Sequence, residues 1–322
     1  MDRRQLLKVA GGALLAPTVA RGDSYPSRPI LLQVPFPPGG AADVMARLVA
    51  RKMSESLGQP VAVENKPGAG GIIGAAAVAR AAPDGYTLLL STTSTHSLAA
   101  AIKSSLPYDP EKSFAPIVEI ANGKSVLLVS SASGIQDVAS LVRLMKSRGA
   151  NNNFGSAGVG TLAHLNGEAF KRAAGVEMTH IPYKGMSLAV QDLIGGQLTM
   201  MFDSAVSALA VLKGGRIRAL AVAGRKRTPV LPDVPTLIEA GVPGFDMEAY
   251  FGLWAPAGTP APIIERLNGV LNAAIASPDL RTEITNLAAD PAGGTSTAFA
   301  ERVARDRRKW KQIITDAGIT PE

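Results

Sequence analysis

Short apolar runs alternate along this chain with stretches of helical periodicity. RPILLQVPF, ending at Phe36, is bounded by prolines and reads as a strand. Directly after it, Val44, Met45, Leu48, Val49 and Met53 share one face of a helix that stops at Gly58. PVAVEN at 60–65 is again a strand. PGAGG is a loop, IIGAAAVARAA a small-residue helix ended by Pro83, and YTLLLS at 86–91 a buried strand. Further on, SVLLVSS precedes a helix carrying Val138, Leu141, Val142 and Met145 at i, i+3, i+4 and i+7, closed by Gly149. A helix from Thr161 to about Ala174 follows NNNFGS, and EMTHIPY, SLAVQDLIGG, LTMMFDS, ALAVLKGG and RIRALAVAG continue the alternation. Repeated βα units of this size predict parallel sheets with helices on both faces.

With 322 residues, the chain is long enough for about two domains. No low-complexity linker divides it, so the chain is expected to cross between domains on extended strands. FAPIVEIANGKSVLLVSS and FDMEAYFGLWAP are the two runs that suit this. The last third returns as helices, with Ile263, Leu267 and Leu271 on one and Phe299, Val303, Trp310 and Ile314 on the last. This predicts a discontinuous first domain, 23–124 with 249–322, and a second domain, 125–248.

Composition narrows the function. A hydrophobic share of 46% and a charged share of 18% describe a chain that buries a large core, and 5% aromatics offer no stacking surface for single-stranded nucleic acid. The net charge is +7, but Arg3, Arg4, Lys8 and Arg21 lie in the first residues and the rest is spread without a dense basic patch. MDRRQLLKVAGGALLAPTVARGD has a basic start, an apolar run from Val9 to Ala20 and small residues at its end. That is the layout of a signal peptide over 1–22, for Sec or twin-arginine export, with the mature chain starting near Asp23 in the periplasm. The chain has no cysteine, which removes disulfides and thiolate chemistry.

In open parallel sheets, ligands sit on the loops at the carboxyl ends of the strands. Here those loops are PPGGAAD, NKPGAGG, STTSTH, GSAGVGT, YKGMS and FDSAV. They are rich in Gly, Ser and Thr, which suits binding through backbone N–H and hydroxyl groups better than proton transfer. The strand–loop–helix joint PFPPGGAADVMARLVA presents free N–H groups at the positive end of a helix dipole, an arrangement that is either a tight turn or an anion cradle. Catalytic alternatives are weaker. No G-x-S-x-G elbow occurs. The three histidines, His96, His164 and His180, have no paired metal-ligand spacing. A Ser156–His164–Asp203 hydrolase grouping stays as the enzymatic alternative. GVGTLA matches G-x-G-x-x-A, but the acid that a dinucleotide site needs at the next strand end is misplaced at Glu177.

The blocks PFPPGGAADVMARLVA, VENKPGAGGIIGAAAVARAAPDGYTLLLST, GSAGVGTLAHLNGEAF, HIPYKGMSLAVQDLIGGQL, RIRALAVAGRKRTPVLPDVPTLIEAGVPGF and WAPAGTPAPIIERLN occur in this order along nearly the whole mature chain. Together they resemble the Bug family, the periplasmic solute receptors of tripartite tricarboxylate transporters. The resemblance implies a type II periplasmic-binding-protein fold, two doubly wound α/β domains joined by crossing strands. It also implies a monomer that captures a small carboxylate and passes it to a two-component membrane permease, with no catalysis, no cofactor and no nucleic acid. Carried over by motif, the ligand carboxylate is held at Pro38, Gly39, Gly40, Ala41 and Asp43, partly through water. Ser94, Thr95 and His96 lie near the site, with Ser94 where the family usually has glycine. Ser156, Ala157, Gly158 and Thr161 face the ligand from the other domain, together with Tyr183, Gly185 and Asp203. Asp43 is read either as a first-turn acid or as a group that orients water, and Asp203 either as a loop cap or as a selector of a ligand hydroxyl or ammonium.

Overall fold

A computed structural model of the chain describes residues 25–102, 105–243, 245 and 247–316. The signal segment 1–22 and the expected mature terminus at Asp23 lie outside the described residues. In chain order the elements are β1 (Ile30–Val34), α1 (Ala41–Leu57), β2 (Val61–Asn65), α2 (Ile72–Ala79), β3 (Thr87–Thr92), α3 (Ala99–Ile102), β4 (Phe114–Gly123) and β5 (Ser125–Ser130). Then come α4 (Val138–Arg148), β6 (Asn153–Ser156), α5 (Leu162–Ala174), β7 (Thr179–Pro182), α6 (Met186–Ile194), β8 (Met200–Ser204), α7 (Ala205–Leu212) and β9 (Ile217–Ala223). The chain closes with β10 (Ala249–Pro256), α8 (Ala261–Ala276), α9 (Pro278–Asn286), β11 (Ala289–Pro291) and α10 (Ser296–Asp316).

The strands form two sheets, in the orders β11-β4-β10-β3-β1-β2 and β7-β6-β8-β5-β9. The expected parallel pairing holds for β1 with β2 and β3, and for β6 with β7 and β8. It fails where the chain changes sheet, β10 running antiparallel to β3 and β4 and β5 antiparallel to β8 and β9, and also at the short edge strand β11, antiparallel to β4. A strand that arrives from the other sheet enters at the ligand-side end of its neighbours, so it must run against them. Only Lys124 separates β4 of one sheet from β5 of the other.

Local sequence accounts for the packing. Along β3, Leu88 and Leu90 pack into the core shared with α1 and α8, while Leu89 packs on the opposite face beside Tyr250 and Trp254. Along β5, Leu127 and Val129 face one core and Val126 and Leu128 the other. Both strands therefore carry an unbroken apolar centre, Leu88–Leu90 and Val126–Val129, that is buried on both faces. Burial of each such leucine is worth about 1.5–3 kcal/mol. Helix α10 departs from the simple domain expectation. Phe299 and Val303 pack with Trp254 of the first sheet, whereas Trp310 and Ile314 pack in a core of the second. Its apolar stripe thus runs from the first core into the cluster that Leu98 and Ile102 share with residues of the second sheet.

Candidate functional site

Between the two sheets lies a cavity with about 830 Å³ of empty space, part of it open to solvent. One wall comes from the β1–α1 loop, with Phe36, Pro37, Pro38, Gly40, Ala41 and Ala42, and from Thr92, Thr93 and Ser94 at the end of β3. The facing wall holds Ala157, Thr161–Ala163, Gly185–Ser187, Asp203 and Ser204. Lys124, Ser125, Ala249 and Phe251 on the crossing strands complete it.

The first wall is built by a cap whose parts are local. Gly39 takes φ +80, which favours glycine, and Gly40 is the extended N-cap of α1. The Gly39 N–H donates to Oδ2 of Asp43 at 2.9 Å. Asp43 also receives Arg47 Nε at 3.0 Å and Asn65 Nδ2 at 3.0 Å, and the latter donates to the Phe36 carbonyl as well. Burial opposes ionisation of Asp43, but the bonds from Arg47, Gly39 and Asn65 outweigh it and hold its carboxyl below the ordinary range. Asp43 is therefore turned into the protein, where it fixes the loop, and it does not line the cavity. Gly39 sits behind the wall with its amide already taken. Gly40, Ala41 and Ala42 line the cavity, and their amides have no hydrogen-bond partner among the described residues. They are the unsatisfied donors at the positive end of a helix of 17 residues. Of the two readings of this joint, the arrangement has the donors of an anion cradle.

Of the STTSTH loop, Thr92, Thr93 and Ser94 reach the cavity, and Thr95 and His96 do not. Ser94 Oγ accepts the Leu162 N–H at 3.2 Å, a bond from one wall to the other. Thr95 and His96 are fully buried in a wide helical turn over Ser94–Leu98. Thr95 Oγ1 donates to the Thr92 carbonyl, and the His96 ring stacks on Trp254 at 4.3 Å. Burial, aided by Arg307, pushes His96 down to about 3, so it packs as a neutral ring.

On the facing wall the structure brings Ala157, Thr161, Gly185 and Asp203 to the cavity, and leaves Ser156, Gly158 and Tyr183 behind it. Ser156 is fully buried at the end of β6, where its Oγ lies 2.6 Å from His180 Nε2 and donates to the Gly158 carbonyl. Gly158, at φ +125, comes up to Gly70 of the opposite wall rather than to the cavity. The Tyr183 hydroxyl donates to Asp192 at 2.6 Å, which turns the ring away. Thr161 caps α5, its Oγ1 accepting from the His164 N–H. Gly185 sits against Pro37, so close that a Cβ there would lie 2.5 Å from the Pro37 ring.

The hydrolase grouping does not assemble. Ser156 pairs with His180 and not His164, whose Nδ1 accepts from the Gly160 N–H. Burial, with His164 adding to it, holds His180 down near 3. Asp203 bonds to Ser204 and Ser207 and to neither histidine. Glu177, the misplaced acid of the G-x-G-x-x-A match, pairs at the surface with Lys171. Among the described residues no cluster of histidines and acids could hold a metal.

Several lining residues escaped sequence reasoning. Phe36, Leu162, Met186 and Phe251 give the cavity apolar sides, and Lys124 is one of its two charged residues, with Asp203. Lys124 Nζ lies 3.2 Å from Asp290 Oδ2 and its side chain is only 7% exposed. The available signal was a single lysine between two apolar runs, FAPIVEIANG and SVLLVSS.

Residues 45–319 match the model of the tripartite tricarboxylate transporter family receptor. The chain is similar to protein BugT of Bordetella pertussis, with 36% identity over 99% of both chains. Among solved structures it is similar to an R. palustris protein with adipate, at 34% identity and a TM-score of 0.90 over 92% of this chain and 100% of that one. It is also similar to MatC from Rhodopseudomonas palustris with bound malate, at 36% identity and a TM-score of 0.85 over 90% of this chain and 100% of that one. With an α/β fold of two sheets, a cavity between them and a family match over most of its length, the chain belongs to the tripartite tricarboxylate transporter receptor family, the Bug receptors.

Proposed function

We propose that this protein captures a small carboxylate in the cavity between its sheets and delivers it to a two-component membrane permease. The observation that carries this reading is the set of unpartnered amides of Gly40, Ala41 and Ala42 at the positive end of α1, inside the cavity. A carboxylate there gains donors and a favourable dipole without a counter-charged side chain. Adipate and malate, held by the two related structures, have the size and charge that such a cavity suits. The protein works as a periplasmic monomer after removal of residues 1–22. Its two bodies, 23–124 with 249–322 and 125–248, close on the acid and release it unchanged.

Melting curves and calorimetric titration against succinate, malate, adipate and monocarboxylate controls test this. One acid is expected to stabilise the protein by about 2.7 kcal/mol at a hundredfold excess over Kd, and to be recovered intact. No stabilisation by any acid, or conversion of the one that binds, would contradict the proposal.

A further inference from the structure

Asp203 is the one charged group of the cavity whose bonding is incomplete. It sits near the end of β8, 5% exposed, and lines the wall that faces α1. Its Oδ1 accepts the Ser204 N–H at 2.7 Å and the Ser207 hydroxyl at 2.8 Å. Its Oδ2 has no partner among the described residues. An unpartnered carboxylate oxygen on so buried a side chain is costly, and the cavity is the side from which a partner can come.

The surroundings supply no counter-ion. β5, β6 and α7 bring no titratable side chain against it. Helix α5 brings His164 and Glu168, 3.9 Å apart, with Lys171 and Arg172 in its last turn, and α6 brings Asp192, bonded to Tyr183. Lys124, at the head of β5, is engaged by Asp290. None of these is bonded to Asp203. Burial therefore prevails over the bonds from Ser207 and Ser204, and Asp203 is pushed up to about 7.

We propose that Asp203 reads the end of the ligand remote from the α1 amides. It receives a second ligand carboxylate as the neutral acid, donating from Oδ2–H, so that capture of a dicarboxylate carries one proton into the cavity. This rests on the receptor reading above. No covalent bond of the ligand changes; the proton comes from solvent, stays on Asp203 and leaves with the ligand. Two ionised carboxylates in direct contact, with no free cation beside them, would repel, so the pair holds one proton between them. The sign follows. Below about pH 7 Asp203 is already neutral and affinity is full, and above it each pH unit costs about a factor of ten in affinity.

The test is calorimetric titration of succinate, malate, adipate and 6-hydroxyhexanoate from pH 6 to 9, each in two buffers of different ionisation heat. For the dicarboxylate that binds, Kd is expected to rise about tenfold per unit above pH 7, with about one proton taken up per ligand at pH 8 and little at pH 6. Asp203→Asn should bind it with a flat pH profile. Ser207→Ala keeps the acid but removes a bond to its charged form, so the inflection should move to higher pH, which keeps the test alive if Asp203→Asn misfolds. A flat profile in the wild type, or the same slope in Asp203→Asn, overturns the proposal. Binding of 6-hydroxyhexanoate with no dicarboxylate bound also overturns it while the receptor reading stands. If none of the acids binds, the receptor reading itself falls, and this inference with it.

Discussion

The two walls of the cavity are built from different chemistry. The α1 wall offers backbone amides beside the hydroxyls of Thr92, Thr93 and Ser94, and its one acid, Asp43, is turned inward and spent on fixing the loop. The facing wall offers side chains, among them Thr161, Ser187, Ser204 and Asp203. A backbone donor recognises a carboxylate of any origin, because the donor is the same whatever the side chains around it. Side chains differ in reach, charge and protonation, so they discriminate. On this account the α1 wall sets the ligand class and the facing wall sets the ligand.

The comparison breaks first at Gly40. Its φ is −78 and a Cβ there would meet only the Pro37 carbonyl, at 3.6 Å, so the backbone tolerates a side chain at a position that lines the cavity. Gly40→Val is expected to weaken acid binding by about a hundredfold or more, some 2.7 kcal/mol, while the melting temperature stays close to wild type. Calorimetry beside melting curves checks both, and lost stability with retained affinity would make the loop a structural turn.

Gly185→Ala should act more mildly, by holding the walls apart. Its backbone is extended and takes any residue, but the new Cβ would press on the Pro37 ring of the other wall. Affinity is expected to fall about tenfold, or 1.4 kcal/mol, with equal losses for every acid. A loss confined to one acid would place Gly185 in ligand contact instead.

Asp43→Asn sharpens the division between class and support. It should change affinity by no more than about threefold, because the residue does not face the cavity, but cost about 2 kcal/mol of stability through its charged hydrogen bonds. The carboxyl is depressed in the folded protein, so its contribution is present at neutral pH and is lost as pH falls through the acid range. Denaturant titration at pH 7 and at pH 3 should show the gap between variant and wild type closing at the lower pH.

Sequence made the α1 wall legible because its determinants are local. PPGGAAD carries the turn glycine, the N-cap and the first-turn acid within a few residues, and the helix periodicity that follows is unambiguous. It did not reveal that Asp43 is turned inward, since its other carboxylate oxygen is held by Asn65 arriving from β2. His96 and Thr95 sit next to Ser94 in sequence, yet the wide turn buries both, Thr95 back onto the Thr92 carbonyl and His96 onto Trp254, a partner 158 residues away. Tyr183 and Gly185 differ in the same way: the ring is drawn off to Asp192 and only the glycine faces the cavity. Lys124 and Phe251 were invisible as lining because the strands that carry them reach the cavity only by crossing between sheets. The antiparallel pairing of β5 and β10 has the same origin, a long-range entry direction that no local pattern encodes.

The central claim is that backbone amides of α1, and not the buried lysine of the crossing strand, hold the ligand carboxylate. A crystal structure of the protein with whichever of succinate, malate or adipate it captures decides this. The account predicts a carboxylate at the amides of Gly40, Ala41 and Ala42, in direct contact or through one ordered water. A carboxylate seated on Lys124 Nζ, with those amides facing only solvent, would contradict it.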